Sequence, residues 1–461
     1  MANRKPFDWA FYKRVLMVAL PIIIQNGITN FVSLLDNVMV GQVGTVQMSG
    51  VAIVNQLMFV FNLCVFGATS GAGIFTAQFH GSGNARGVRD TFRFKVLVAL
   101  ILAAAGIGIF LLGGDALIGL YLDGEADPAE VAQTLSYGKG YLGVMLFGLL
   151  PFALTNSYSS TLRETGQTTV PMVAGICAVF VNLALNYVLI FGHFGAPELG
   201  VVGAAVATVI SRYVELAIVA GWTHSHGEKN PFIRGAYRSM RIPKDLMKQI
   251  IVKGMPLLVN EFFWSTGMAI MSQCYSTRGL AVVAAFNIAN TISQLANVVY
   301  LSLGNAVGII MGQMLGAEVP EAQIRRDNSR MVRLSVLSCL LFGAILIALS
   351  GLFPKIYNTT EEVRAIASGL ICITALMMPV NSYNNAMYFT LRSGGQTGIT
   401  FLFDSGFTWV VCVPVAYALS RFTGLSILPM YAICVGVDVL KVFAGAYLLK
   451  KGVWIRRIVA D

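Results

Sequence analysis

Apolar residues run through this chain in long unbroken blocks. They do not alternate as in a half-buried strand or form the one-sided stripe of a soluble helix. A helix needs roughly 20 mostly apolar residues to cross a hydrocarbon core about 30 Å thick. Stretches 96–112, 332–352 and 405–419 have that character. Twelve such segments can be laid out, at about 15–40, 46–79, 94–121, 135–161, 170–192, 199–222, 249–274, 282–315, 331–353, 366–391, 400–420 and 428–449. Segments 46–79 and 282–315 exceed a straight crossing, which predicts tilt or interfacial turns at their ends. The pattern predicts an all-α membrane protein with twelve transmembrane helices.

Composition strengthens this reading. Only 12% of the 461 residues are charged, about half the share in a soluble domain. Residues 1–14 are polar and basic and lead straight into a full-length apolar segment, so the first helix is expected to be retained. The seven cysteines are scattered with no CxxC pair and read as small apolar residues. The net charge of +10 would suggest a nucleic acid partner in a soluble protein. Here topology accounts for it. Placed in alternate connections, Arg4, Lys5, Lys13, Arg14, Arg86, Arg89, Arg93, Lys95, Arg163, the seven cations of the central loop, Arg325, Arg326, Arg330, Arg333, Arg392 and the tail cations fall on one side. Only Lys139, Arg278, Lys355, Arg364 and Arg421 fall on the other. Cytoplasmic loops are the lysine- and arginine-rich ones. Both termini are therefore expected in the cytoplasm and the chain in the cell membrane, with lipid as its surroundings and no nucleic acid. The stretch 115–130, with Asp115, Asp123, Glu125, Asp127 and Glu130, is then external.

The chain matches itself at an offset of 235 residues. Pro21 meets Pro256, Gly44 meets Gly279, and Ile53 and Asn55 meet Ile288 and Asn290. Gly73, Ile74, Gln78 and Gly81 meet Gly308, Ile309, Gln313 and Gly316. At a slightly smaller offset Leu162-Arg163-x-x-Gly166-Gln167-Thr168 meets Leu391-Arg392-x-x-Gly395-Gln396-Thr397. Polar identities at a constant offset separate this from the general likeness of apolar helices. Each repeat holds six helices, so both halves enter the membrane in the same sense. The expected architecture is two pseudo-symmetric six-helix lobes, 1–222 and 249–461, joined by a cytoplasmic linker, 223–248. Two such halves that rock about a central path make a transporter.

Ionisable groups at membrane depth need a partner or a function. Arg212 and Glu215, three apart, share a helix face and read as a pair, as do Asp438 and Lys441. Arg163 and Arg392 end helices, where a long side chain reaches the interface. Asp404 is expected near the interface. Asp36 and Glu261 have no cation nearby in sequence. A carboxylate in such a place can take up and release a proton, or bind sodium with neighbouring oxygens. The two are not repeat equivalents, because Asp36 maps onto Met271. Asn182 and Asn186, four apart, face one way; helix–helix bonding accounts for them as well as a site does. Gln25, Asn55, Asn290, Asn381 and Asn384 add polarity within the spans and are candidates for a substrate pathway. Prolines 21, 151, 171, 256, 379 and 414 lie within helical spans and offer bending points. His224 and His226 lie in a polar loop and read as no metal site. No GxxxxGK[ST] loop is present, so ion coupling is expected rather than ATP, with no cofactor. No nucleophile–base pair is present, so an enzyme is not expected.

These residues resemble the multidrug and toxic compound extrusion (MATE) family. The resemblance rests on Asp36-Asn-Val-Met-Val-Gly41, the Leu162 and Leu391 motifs, Asn182-Leu-Ala-Leu-Asn186-Tyr-Val-Leu-Ile-Phe-Gly192 and Gly203-Ala-Ala-Val-Ala-Thr208. It implies export of organic, often cationic, small molecules against inward sodium or proton flow, and a monomer is expected. By position it makes Asp36 the coupling aspartate, Asn182 its partner, and Thr208 the remaining oxygen ligand of the first half. Asn186 stands where members have aspartate or asparagine. Glu261 resembles the seventh-helix glutamate of a NorM-like branch. That branch tends to carry a tenth-helix aspartate, where this chain has Asn381. The choice between Na+ and H+ stays open, and any metal would be Na+ at Asp36. The alternative is a flippase for lipid-linked precursors or polysaccharides from the same wider superfamily.

Overall fold

The computed structural model describes residues 8–122, 128–357 and 359–459. The cations Arg4 and Lys5 and the acidic Asp123, Glu125 and Asp127 lie outside the described residues. No strand is present among the described residues. The helices are α1 (Trp9–Gly41), α2 (Thr45–Gly81), α3 (Ala85–Gly119), α4 (Pro128–Glu164), α5 (Thr169–Phe191) and α6 (Gly200–Ser225). The second half repeats the series with α7 (Lys244–Ser276), α8 (Leu280–Gly316), α9 (Glu321–Leu349), α10 (Glu361–Ser393), α11 (Thr397–Phe422) and α12 (Ile427–Lys451). Eleven of them are long and apolar enough to cross a membrane. The remaining one, α7, has the length at 33 residues, but Asn260 and Glu261 interrupt its apolar run. Leu112, Phe262 and Phe443 are among many large apolar side chains left exposed, which is the expected surface of a protein solvated by lipid.

Several helices start earlier than the apolar pattern predicts. α3 begins at Ala85 rather than near 94, and α9 at Glu321 rather than near 331. A helix does not stop where its apolar face stops, because its backbone bonds are internal whatever the side chains. Lys95, placed by its position among the loop cations, is consequently buried, and its ammonium pairs with Glu164 and reaches Ser160 and Thr161.

The sequence repeat is also a backbone repeat. After α4, Gly166 adopts φ +85°, and the amide of Gln167 donates to the Leu162 carbonyl at 2.7 Å. After α10, Gly395 adopts φ +71°, and Gln396 donates to Leu391 at 3.2 Å. A left-handed glycine with this long return bond closes a helix end, which is why both motifs keep Gly at that place. The equivalent ends of α2 and α8 cross at the other glycines of the repeat. A side chain at Gly81 would overlap the Gln313 carbonyl, and one at Gly316 would overlap the Gln78 carbonyl. Gln78 then donates to the Ser393 carbonyl at 2.9 Å and accepts from the Ile458 amide at 2.8 Å.

The chain forms two compact units. One comprises Ile24–Thr76 and Ala85–Ile250. The other comprises Ile251–Asp461 with Met1–Ile23 and Ala77–Asn84, so the end of α2 packs with the C-terminal half. Three helices depart from regular winding, α12 by a turn at Val437 and Asp438 between Ile427–Gly436 and Val439–Lys451. α4 is interrupted by a 3₁₀ turn at Leu146–Gly148. α11 widens into π-helical winding over Leu402–Gly406 and Thr408–Cys412.

Candidate functional site

In the N-terminal unit, close packing of α5 on α6 builds the first polar centre. Gly203 lies so near the Leu189 carbonyl that a Cβ there would stand 2.5 Å from its oxygen. Only a glycine admits that approach, and it brings Thr208, further along α6, beside Asn182 of α5. Asn182 and Asn186 point the same way from α5, as their spacing requires. Asp36, 150 residues earlier in the chain, accepts from Asn186 Nδ2 at 2.8 Å. The Asn182 amide spans Asp36 and Thr208. With its nitrogen toward the carboxylate it reaches Oδ1 at 3.1 Å and Oδ2 at 2.9 Å, and its oxygen lies 3.3 Å from Thr208 Oγ1. Asn182 and Asn186 are buried, and the Asn186 Oδ1 atom has no hydrogen-bond partner. Among the described residues no lysine or arginine pairs with Asp36.

A second centre lies in the C-terminal unit. Asp404, on the π-wound part of α11, accepts from Asn260 Nδ2 of α7 at 3.0 Å. Asn260 Oδ1 in turn accepts from Ser405 Oγ at 2.7 Å. The Lys441 ammonium of α12 stands 3.3 Å from Asp438 Oδ1 and 3.8 Å from Asp404 Oδ1. It also lies over the Phe407 ring, 5.0 Å from its centroid. Asn384 of α10 donates to the Asp438 carbonyl at 3.0 Å. The Asp438–Lys441 pair is therefore present, but it is part of a larger network. The Asp404 side chain is only 24% exposed and is held by two other helices, α7 and α12. A π turn adds a residue to the ring and rotates the residues beyond it, which turns Asp404 inward. Glu261 sits beside Asn260, with Arg392 and Asp404 as its electrostatic neighbours.

The other pathway candidates are dispersed. Gln25 accepts from Arg163 Nη2 at 2.7 Å, and its amide lies against Gly175. Arg163 is thus held by a side-chain hydrogen bond within the N-terminal unit. Asn55 is exposed and accepts from the Tyr141 hydroxyl at 3.4 Å. Asn290 is exposed, and Asn381 is half-buried. The expected Arg212–Glu215 pair does not form. Arg212 instead donates to the Gly148 carbonyl at 3.1 Å and lies over Phe152. That carbonyl lies where the 3₁₀ turn of α4 passes back into regular α-helix. Glu215 lies within the electrostatic reach of Arg163 and Arg212.

The sequence reading did not single out Asn260, Ser405 or the role of Lys441, though the repeat relates Asn260 and Lys441 to polar positions of the first half. Asn260 lies 235 residues after Gln25. Asp404 and Lys441 lie 229 after Gly175 and Arg212, the offset that relates Arg392 to Arg163. The two equivalent pairs, Gln25 with Gly175 and Asn260 with Asp404, are both in contact.

The MatE family model matches residues 21–188 and 256–418, one segment in each repeat. A protein of Thermotoga maritima described as "Probable multidrug resistance protein NorM" is 26% identical, covering 90% of this chain and 87% of its own. The "Probable multidrug resistance protein YoeA" of Bacillus subtilis is 26% identical over 93% of this chain and 90% of its own. A solved structure described as the outward-facing conformation of a multidrug resistance MATE family transporter of the MOP superfamily superposes with a TM-score of 0.86. It is 18% identical and covers 96% of this chain and 95% of that one. A second, a MOP superfamily transporter from Pyrococcus furiosus, superposes with a TM-score of 0.85 at 18% identity, covering 96% and 95%. Such structures have twelve helices in two lobes, the architecture expected from the repeat. This chain belongs to the MatE family, the multidrug and toxic compound extrusion transporters, and is a multi-pass membrane protein.

Proposed function

We propose that the chain is a secondary active exporter of organic, cationic or amphipathic small molecules, driven by inward Na+ or H+ at Asp36. The observation that carries this reading is a membrane-depth carboxylate surrounded by amides and a hydroxyl, with no side-chain cation to neutralise it. Its charge must be balanced by something that comes and goes. With the Asn182 nitrogen turned toward it, the site suits an ionised Asp36. With the Asn182 oxygen turned toward it, two oxygens face each other at about 3 Å. That arrangement is stable only with a proton or a metal cation between them. Rotation of one amide, at little cost in packing, thus distinguishes the loaded from the empty site. Asn186 Oδ1 and Thr208 Oγ1 are further oxygens for Na+. Coupling follows if the loaded and empty sites favour different arrangements of the helices around them.

The lobes of this reading are 1–222 and 249–461 with linker 223–248, acting as a monomer in the cell membrane with both termini cytoplasmic. The loop charge asymmetry supports that orientation. Glu261 extends the cation pathway into the second lobe. Gln25, Asn55, Asn290, Asn381 and Asn384 line the substrate route, and the coupling ion is the sole cofactor.

The test is export of a fluorescent lipophilic cation from proteoliposomes under separately imposed Na+ and H+ gradients, with Asp36→Asn as control. Export driven by one gradient and lost in the variant supports the reading and names the ion. Wild-type export by Asp36→Asn would sink it. Absence of export under either gradient would redirect the search to lipid-linked intermediates, by a scrambling assay.

A further inference from the structure

The first turns of α3 carry Arg86, Arg89 and Arg93 with no acidic residue in the first turn. Their spacing puts all three on one face. This is an unfavourable arrangement, since a helix N-terminus is itself positive and repels cations. The linker folds over this face. Arg93 donates to the carbonyls of Ala236 at 2.8 Å and Gly235 at 2.9 Å, and Arg89 donates to that of Phe232 at 3.2 Å. Between linker and helix a cavity of about 650 Å³ remains, lined by Arg86, Arg89, Asp90, Arg93, Arg241 and Pro243 among others. Its one carboxylate, Asp90, is already taken by Arg93 at 2.9 Å. Among the described residues, Arg86, Arg89 and Arg241 have no carboxylate within ion-pairing distance. Arg89 and Arg93 are engaged by the linker carbonyls, and the exposed Arg86 and Arg241 line the same open space near a helix end of the same sign. An anion entering there would relieve both repulsions.

The position along α3 says which anion. The uninterrupted apolar run of α3 begins at Val96. At 1.5 Å per residue, Arg93 lies only about 5 Å from it along the axis and Arg86 about 15 Å. That range overlaps the headgroup layer, which is roughly 5–8 Å deep on each side of the core. Tyr237 and Met240, on the same stretch of linker, are exposed, as side chains at a lipid interface are.

We propose that this cavity binds the phosphate-bearing headgroup of an acidic membrane lipid, which holds the linker against α3. The proposal does not depend on the exporter reading, and its test uses binding alone. Full-length protein in detergent, stripped of lipid, is titrated with short-chain phosphatidylglycerol, with phosphatidylcholine of the same chains, and with inorganic phosphate. Bound lipid is read by native mass spectrometry, and thermal unfolding is followed in parallel. Phosphatidylglycerol is expected to bind at least tenfold more tightly than phosphatidylcholine and to raise the unfolding temperature. The double variant Arg86→Gln/Arg241→Gln is expected to lose roughly tenfold or more in that binding, while Arg86→Lys/Arg241→Lys keeps most of it. Neither arginine side chain holds the linker by a described hydrogen bond, so the variants should fold. For a readout free of variants, the wild-type preference must shrink as NaCl is raised. Equal binding of the two lipids, a preference indifferent to salt, or unchanged binding by the folded Gln variant would each overturn the proposal. Equal stabilisation by inorganic phosphate at the same concentration would overturn the lipid assignment and leave a free-anion site.

Discussion

Two polar centres, one in each unit, are built on the same repeat and hold opposite chemistry. Around Asp36, among the described residues, a single carboxylate is met by the amides of Asn182 and Asn186, with the Thr208 hydroxyl beyond Asn182. Around Asp404 two carboxylates share one ammonium, and Asn260 and Ser405 complete the network. The two centres do not occupy equivalent places in the repeat: Asn260, Asp404 and Lys441 correspond to Gln25, Gly175 and Arg212, and Asp36 corresponds to Met271. The cation of the second half, Lys441, turns to carboxylates, whereas its counterpart Arg212 turns to a backbone carbonyl in the break of α4. Where the second half has Asp404, the first has Gly175, and Gln25 fills the space a side chain would need. On the proposed function, the first centre exchanges its counter-charge with the surroundings. The second largely carries its own. One arrangement suits a switch and the other a fixed joint between α7, α11 and α12.

This comparison can be broken by substitution. The largest effect is expected from Asp36→Asn, which should abolish gradient-driven export in proteoliposomes while leaving thermal unfolding nearly unchanged. Strong destabilisation there would mean that Asp36 is structural after all. Lys441→Met should do the reverse in kind. Removing one partner from a buried ionic network costs about 3–5 kcal/mol, so the variant should unfold at markedly lower temperature. Adding Asp404→Asn should recover part of that loss, and a double variant no better than the single would show the two groups to be uncoupled. Asn186→Ala deletes a donor to the Asp36 carboxylate. A hydrogen bond to a charged group contributes about 1.5–3 kcal/mol and here favours the ionised, empty carboxylate, so the half-saturating concentration of a coupling proton should fall by roughly ten- to a hundredfold. The smallest effect belongs to Gly175→Ala. Its methyl would stand 2.6 Å from Gln25 Nε2, a flexible side-chain end that can move. The cost should be about 1 kcal/mol, read as a small drop in unfolding temperature, with export retained.

Much of the molecule was legible along the chain. The helices follow from apolar blocks of crossing length, and the repeat from polar identities at a constant offset. The left-handed turns at Gly166 and Gly395 follow from a motif that only glycine completes. The Asp36 centre was legible in part: spacing aligned Asn182 with Asn186, and the family resemblance pointed to Thr208. The structure brings these four side chains together.

The chain did not disclose the partners of Asp404 and Arg212. Asp404 and Asn260 are 144 residues apart, and no local periodicity relates them. Their meeting depends on π winding, which adds residues to a turn and so shifts every side chain beyond it off the 3.6-residue register from which a sequence is read. Arg212 likewise passes over Glu215, its neighbour by spacing, for the carbonyl of Gly148 at the 3₁₀ turn on another helix. The sequence by itself determined where helices cross and which residues share a face, because both depend on regular winding and apolar length. Tertiary structure alone decided which buried charges neutralise one another. That choice is made by the irregular turns and close backbone approaches through which distant helices meet, and by the high cost of leaving an ion without a partner in a low-dielectric interior.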